Sequence, residues 1–219
     1  MKFAVSFSGG KDSMLALHEM VEAGHEPAVL LVMYRQEAGR SWVHGIEPKL
    51  LAAVGEALGL PLICCDAKSE TYDEDMERGL RQARELGALS CVFGDIDTPG
   101  HRDWDEARCA AAGMDAVLPL WNRNRLDAVR KTLDLGYRCP IKCVRNDLLP
   151  DSWLGQPLSH AHIEQMLSRG VDACGENGEY HTIVTDGPLF RHPVAIENRG
   201  LVPLGQITAA DLTLAGRNA

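Results

Sequence analysis

Residues 2–17 read KFAVSFSGGKDSMLAL, and this stretch decides the fold. The apolar run over 2–7 predicts a short strand, and apolar side chains at near-helical spacing over 12–23 predict a helix. Between them lies the hexapeptide Ser8-Gly9-Gly10-Lys11-Asp12-Ser13. A strand that passes through a glycine turn into a helix suits phosphate binding, because the first N–H groups of a helix lack partners and carry partial positive charge.

The residue types in this loop fit the same chemistry. Gly9 and Gly10 have no Cβ, so the backbone can approach an anion closely. The two serine hydroxyls can donate hydrogen bonds, Lys11 adds a positive charge, and Asp12 can cap the helix or hold Mg²⁺ beside a bound nucleotide. The pattern is neither a Walker A motif nor the dinucleotide Gly-x-Gly-x-x-Gly. A turn that only caps a helix is the alternative interpretation.

Outward from this loop, apolar runs alternate with helical patterns. Strands are predicted at 2–7, 27–34, 61–65, 89–93 and 117–120, and helices at 12–23, 48–58, 72–86 and 102–112. Strands separated by helices predict an α/β fold with a doubly wound, mostly parallel, five-stranded sheet of the Rossmann-like kind. Beyond residue 121 we predict a helix at 126–135, a strand at 137–144, a loop at 150–157 and a helix at 160–168. We therefore divide the chain into a nucleotide-binding domain, 1–120, and a smaller α+β substrate module, 121–219.

Composition narrows the class of protein. Of the 219 residues, 45% are apolar and 24% charged, which is typical of a globular chain. The formal net charge of -9 argues against a nucleic-acid partner, since such partners usually require a basic surface. No apolar run approaches the ~18 residues of a membrane span. Seven cysteines, an odd number, favour reduced thiols in the cytoplasm. A homo-oligomer is left open.

Two further segments carry candidate site residues. Gly94 and Asp95 directly follow the fourth predicted strand, where ligands of parallel sheets bind, and Asp95 could hold a metal or a ribose. A capped turn is the alternative there. Residues 174–182 read CGENGEYHT and bring together the carboxylates Glu176 and Glu179 beside His181. Such carboxylates suit ammonium binding, deprotonation of incoming ammonia, or Mg²⁺, whereas the alternative is a solvated hairpin turn.

The cysteines carry little evidence for chemistry. Cys139 and Cys143 have a metal-ligand spacing but lack a second pair, which makes zinc a poor interpretation. Cys174 has no base identifiable from the sequence, so a covalent role for it is disfavoured.

Several motifs together resemble one family. The hexapeptide resembles the PP-loop of the ATP pyrophosphatases, which cleave ATP to AMP and pyrophosphate. The longer motifs are similar to the diphthine–ammonia ligase family: Gly45-Ile46, 56–61, Gly94-Asp95-Ile96, His101-Arg102-Asp103-Trp104, Pro119-Leu120-Trp121, 151–155, 170–182 and 186–188. The resemblance covers nearly the whole chain.

The resemblance implies an ATP-dependent amide ligase that adenylates a carboxylate and transfers it to ammonia, with ATP and Mg²⁺ as cofactors. It implies binding of ATP by 8–13 with Gly94 and Asp95, and catalysis by Lys11, Asp12, Glu176 and Glu179. Mg²⁺ would lie at Asp12 and Asp95. The acceptor would be diphthine on elongation factor 2 in an archaeal or eukaryotic source, and an unknown small carboxylate otherwise. Cofactor or corrinoid salvage, RNA modification and a non-catalytic nucleotide sensor remain alternatives.

Overall fold

The central sheet of the computed structural model, which describes residues 1–35, 39–41 and 44–216, is mostly parallel. Its strands are β1 (Lys2–Ser6), β2 (Glu26–Arg35), β3 (Arg40–Ser41), β4 (Leu62–Asp66), β5 (Ser90–Val92) and β6 (Asp115–Val117). The five parallel strands lie in the order β4-β2-β1-β5-β6, and β3 pairs antiparallel with the end of β2. The predicted α/β fold with a mostly parallel sheet is confirmed.

Four helices cover this sheet: α1 (Lys11–Glu22), α2 (Pro48–Leu58), α3 (Tyr72–Glu85) and α4 (His101–Ala111). Successive side chains of a strand point to opposite faces, so Phe3 and Val5 pack with α1 and α2 while Ala4 packs with α3. The two apolar layers explain why β1 and β2 are continuous apolar runs rather than alternating ones.

The sheet places a crevice between β1 and β5. Chain order runs outward from β1 in one direction through β2 and β4, and in the other through β5 and β6. The carboxyl ends of β1 and β5 therefore form the point at which the strand order reverses, which is where open parallel sheets bind ligands. The loop 7–10 and the segment 93–100 leave the sheet at this point.

The rest of the chain builds a separate antiparallel sheet. The sheet consists of β7 (Ile141–Arg145), β8 (Tyr180–Thr182), β9 (Ile196–Leu204) and β10 (Ile207–Leu214), in the order β8-β7-β10-β9. Two helices belong to the same part of the chain, α5 (Arg125–Asp134) and α6 (His160–Ser168). One apolar cluster runs from Phe3 in the first sheet to Leu212 in the second. The predicted division of the chain at residue 120 stays a prediction.

Some predicted boundaries were wrong. The strand predicted at 117–120 lies at 115–117, and Pro119 and Leu120 form a turn instead. The strand predicted at 137–144 begins only at Ile141, because Pro140 has no N–H to give a ladder. The β9–β10 hairpin was not predicted. Among the helices of the described residues, none has the length and apolar character needed to cross a bilayer.

Candidate active site

The loop between β1 and α1 has its shape fixed locally. Gly9 takes a left-handed φ of 83°, and a Cβ on it would lie 2.9 Å from Cδ1 of Ile46. The Gly10 N–H donates to Oγ of Ser8 at 3.2 Å, and this hydroxyl lies 3.2 Å from Oγ of Ser13. The two glycines thus let the chain turn tightly into α1, as the sequence predicts.

Two further hydrogen bonds join this loop to the segment around β8. The carbonyl of Gly9 accepts from the N–H of Val184 at 2.8 Å, and the Lys11 N–H donates to Oγ1 of Thr182 at 3.1 Å. Thr182 is the last residue of β8, so the antiparallel sheet clamps the start of α1. The Thr182 carbonyl lies 2.8 Å from Nδ1 of His44. Burial, then the neighbouring His181, lowers the pKa of His44 to about 3, so the neutral ring donates this bond.

Lys11 and Asp12 form a buried ion pair at the start of the helix. The Lys11 side chain is almost fully buried, and its Nζ donates to both carboxylate oxygens of Asp12 at 2.8 and 2.7 Å. Burial lowers the pKa of Lys11, but Asp12 and the other acidic groups around it, Glu176 among them, together outweigh burial and raise this pKa well above its usual value. Lys11 is therefore a fixed positive charge at neutral pH.

The end of β5 lies directly against the start of α1. A Cβ on Gly94 would lie 2.7 Å from the Ser13 nitrogen and 2.8 Å from the Asp12 carbonyl carbon, so only glycine fits. Oδ1 of Asp95 lies 2.5 Å from Nδ1 of His101. Arg102 is exposed and pairs with Glu106 along α4. Gly94 therefore packs against the start of α1, whereas Arg102 pairs along the surface of α4.

The two predicted glutamates have different positions. One possible ligand atom from each of Asp12, Cys174 and Glu176 lies within 4.8 Å of the others. Burial, then the Asp12 carboxylate, raises the pKa of Glu176 to about 7. The Glu179 carboxylate instead accepts from the backbone N–H of Asn177 at 3.0 Å and from its side chain at 3.1 Å. Glu176 faces Asp12, while Glu179 shapes the turn that carries it.

A cleft of about 280 Å³ collects these groups. Most of the predicted site residues line it: Ser8, Lys11, Asp12, Ser13, Gly94, Asp95 and Glu176. His181, which stacks at 4.6 Å on His44, also lines it, and Glu179 does not. The wall also includes residues to which the sequence assigned no role: Ser6, His44, Thr98, His101, Gly175, Gly178, Tyr180 and Thr182.

The three cysteines considered in the sequence analysis are buried thiols that are poorly suited to catalysis. Cys139 and Cys143 are buried, and the Cys139 thiol points to the Tyr137 carbonyl. The Cys174 thiol lies 4.0 Å from Oδ1 of Asp12, and burial raises its pKa, so it stays protonated. A protonated thiol is neither a nucleophile nor a good ligand.

Arg125 is a site-supporting residue that the sequence analysis missed. It donates two hydrogen bonds to Asp97, at 2.6 and 2.8 Å, and one to Asp172 at 2.6 Å. Asp172 in turn accepts from the Cys174 N–H at 2.9 Å. Arg125 thereby links the segment after β5 to the one that carries Glu176. These partners lie 28 and 47 residues away in sequence, so no local pattern indicates them.

Comparison with known proteins identifies relatives that match this chain in sequence over most of its length. The family model described as the diphthamide synthase N-terminal domain matches residues 1–116, and that of the diphthamide synthase C-terminal domain matches 124–201. Proteins named diphthine–ammonia ligase from Bos taurus and Homo sapiens are each 27% identical over 92% of this chain and 85% of their own length. The Schizosaccharomyces pombe protein of that name is 23% identical over 92% of this chain and 37% of its own.

A solved structure described as a predicted subunit of tRNA methyltransferase from Methanocaldococcus jannaschii aligns with a TM-score of 0.45. It is 13% identical, and the alignment covers 85% of this chain and 98% of that one. The two family models together cover the parallel strands β1, β2, β4 and β5, most of β6, the strands β7 and β8, and every residue that lines the cleft, whereas β10 lies beyond the matched residues. The relatives matched by sequence carry names that indicate a ligase. On these matches, the chain belongs to the diphthamide synthase family.

Proposed function

We propose that this chain is an ATP-dependent ligase that activates a carboxylate as its adenylate, releases pyrophosphate and transfers the acyl group to ammonia. The observation that carries the proposal is the cleft at the β1–β5 crevice. It combines a phosphate-type loop with a buried lysine and three carboxylates: Lys11, Asp12, Asp95 and Glu176. In this proposal residues 1–120 hold the nucleotide and 121–219 contact the acceptor.

The start of α1 supplies what a triphosphate needs. Helix geometry leaves the N–H groups of Asp12 and Ser13 without intrahelical partners, and they lie at the positive end of the helix dipole. The charge of Lys11 adds to this field inside a partly enclosed cleft. These groups would hold the terminal phosphates, so that the acceptor carboxylate oxygen attacks the α-phosphorus. The bond from this phosphorus to the pyrophosphate oxygen then breaks.

The same cleft fits Mg²⁺. Asp12, Glu176 and Asp95 offer the hard oxygen ligands that this ion prefers, whereas the protonated Cys174 does not. We propose Asp12 as the residue that holds the ion, with Asp95 beside it, which leaves Glu176 free to accept a proton. A bound ion would neutralise charge on the phosphates.

Glu176 is the group best suited to handle ammonia. Its pKa of about 7 means that a large part of it is ionised at neutral pH yet able to accept a proton. In the proposed step, ammonium gives a proton to the Glu176 carboxylate, the nitrogen attacks the acyl carbon, and AMP leaves. Glu179 acts as a positioning residue, because its carboxylate is bonded to Asn177 in the turn.

The names of the relatives suggest the acceptor. They are called diphthine–ammonia ligases, and we propose that this chain amidates diphthine on elongation factor 2 where its source makes that residue. In a source without diphthine we propose a small carboxylate acceptor.

Product analysis tests the reaction. Purified protein with ATP, Mg²⁺, ammonium and a panel of acceptors, diphthine-bearing elongation factor 2 among them, should form AMP and pyrophosphate and show acceptor-dependent ATP–pyrophosphate exchange. Asp12→Asn should abolish the exchange, whereas Asp103→Asn, at an exposed position of α4, should leave it intact. Formation of ADP and orthophosphate would refute the proposal.

A further inference from the structure

Tyr180 is a buried aromatic residue in the wall of the cleft, at the first position of β8. It is 2% exposed and belongs to the apolar cluster that joins the two sheets. The ATP chemistry proposed above gives it no part. Core packing alone explains many buried aromatic rings, so a further role has to follow from what the ring and the hydroxyl contact.

The ammonium group of Lys11 lies over this ring. Its Nζ is 5.5 Å from the ring centroid, within the ~6 Å over which the face of an aromatic ring attracts a cation. Lys11 is 4% exposed, so its charge has lost most of its hydration and depends on such neighbours. The ring is therefore a second stabilising neighbour of this charge, besides the Asp12 carboxylate.

Two further contacts fix the orientation of the ring. The Tyr180 hydroxyl donates to the Ala173 carbonyl at 2.7 Å, and burial raises the pKa of Tyr180, so the hydroxyl keeps the proton for this bond. Gly175 has a left-handed φ of 79°, and a Cβ on it would lie 2.9 Å from Cε1 of Tyr180. The ring is thus held at its far end and along one side, and it cannot turn away from Lys11.

The ammonium of Lys11 needs such a restraint because it sits on a flexible four-carbon stem. It carries three N–H donors. The bonds to Asp12 use two of them at most, which leaves at least one for a phosphate oxygen in the cleft. A ring that fixes the position of Nζ also fixes the direction of the remaining donor.

We propose that Tyr180 is a positioning residue for phosphate binding, and that its ring holds the Lys11 ammonium where the terminal phosphates of ATP meet it. Tyr180 acts through Lys11 rather than by contact with the nucleotide. The inference rests on the proposed function, since it takes the phosphates of ATP as the ligand of Lys11. The alternative is that Tyr180 only fills the core, so that its loss would lower stability without an effect on any particular ligand.

Two ligands separate these roles. The analogue α,β-methylene-ATP carries the terminal phosphates and lacks the bond that the proposed reaction breaks, whereas AMP has no terminal phosphates. Each is titrated calorimetrically into the whole chain with Mg²⁺ present. Tyr180→Leu should weaken binding of the analogue about tenfold, as the loss of one desolvated cation–ring contact of ~1.4 kcal/mol gives, and should leave AMP binding nearly unchanged. Tyr180→Phe keeps the ring and should restore the affinity for the analogue to within about threefold.

Coupling to Lys11 is the second measurement. In a Lys11→Met background, Tyr180→Leu should have little further effect on the analogue, because the charge on which the ring acts is gone. Tyr137→Leu is the matched control. Tyr137 is 3% exposed, its hydroxyl lies 2.9 Å from Nδ1 of His18, and it lies outside the lining of the cleft. Its replacement should lower the melting temperature and leave the affinity for the analogue unchanged.

Thermal melting checks that each variant is folded, and Tyr180→Met replaces Tyr180→Leu if the leucine variant does not fold. Three results would overturn the proposal: equal weakening of AMP and of the analogue, the same loss in Tyr180→Phe as in Tyr180→Leu, or an undiminished loss in the Lys11→Met background. If the unchanged chain binds the analogue but forms no AMP with any acceptor, the ligase proposal fails and the role of Tyr180 is still decided by these titrations. If the unchanged chain does not bind the analogue, both proposals fail.

Discussion

Replacing Gly94 by alanine tests whether the close approach of β5 to α1 supports the proposed nucleotide site. A Cβ at this position would lie 2.7 Å from the Ser13 nitrogen and 2.8 Å from the Asp12 carbonyl carbon. Ordinary van der Waals contact begins at 3.4 Å, so the strand end and the helix start must separate by at least about 0.7 Å. Both neighbouring atoms belong to the backbone, so no side-chain rotation can relieve the clash.

Two effects of different size follow from that displacement. Overpacking of this kind costs about 1–3 kcal/mol. In a chain of this length that lowers the melting temperature by about 2–12 °C, at about 2–4 °C for each kcal/mol. The N–H groups of Asp12 and Ser13 move with the helix start, and a shift approaching 1 Å at a reacting centre costs about 100-fold in rate. We therefore expect a folded Gly94→Ala protein with AMP formation reduced by about two orders of magnitude.

The assay compares this variant with a second glycine-to-alanine replacement, at a position where the added methyl group would contact no other residue. A Cβ added at Gly216 would have no heavy atom within 4 Å, and the backbone there lies outside the left-handed region, so Gly216→Ala should match the unchanged chain. Thermal unfolding and the rate of AMP release are measured for both variants. If Gly94→Ala keeps the original melting temperature and rate, then the close approach of β5 does not position the site and the reasoning is wrong.

Three further changes have distinct expected outcomes. Lys11→Met keeps most of the length of the side chain but removes its charge, so affinity for an ATP analogue should fall about 10–100-fold in calorimetric titration, the range of one charged hydrogen bond. With Glu176 as the base, the rate of amide formation should rise as the pH passes about 7, and Glu176→Gln should lose this dependence in a pH–rate profile. Because the folded-state pKa of Asp105 is raised to about 8, the folded protein binds a proton that the unfolded chain releases above its normal pKa near 4. The stability of the unchanged chain should therefore fall between about pH 4 and 8 relative to Asp105→Asn, as followed by thermal melts.

The sequence predicted the parts of this molecule whose signals are local. The strand, glycine turn and helix of residues 2–22 follow from apolar spacing and the absence of a Cβ at two positions. The parallel sheet follows from the alternation of strands and helices. The sequence could also place Gly94 and Asp95 at the right edge, because the carboxyl ends of parallel strands meet there.

Parts that depend on distant partners could not be predicted. His44 contacts Thr182 across 138 residues, and no periodicity marks such a pair. The different positions of Glu176 and Glu179 depend on which carboxylate Asn177 binds, and both residue types fit either place. The strand β9 is exposed along most of its length, so it lacks the apolar alternation by which strands are recognised.

Under the proposed function, the clamp by β8 makes nucleotide binding depend on the antiparallel sheet. The backbone N–H of Lys11, at the start of α1, already donates to Oγ1 of Thr182. The carbonyl of Gly9 in the preceding loop accepts from the N–H of Val184. A phosphate must therefore use the remaining N–H groups at Asp12 and Ser13, or displace Thr182. In either case the energy of phosphate binding is coupled to the position of β8 and of the turn before it, which carries Glu176. Arg125 fixes the other end of that turn through Asp172, so the carboxylate that we propose as the base is positioned from both sides.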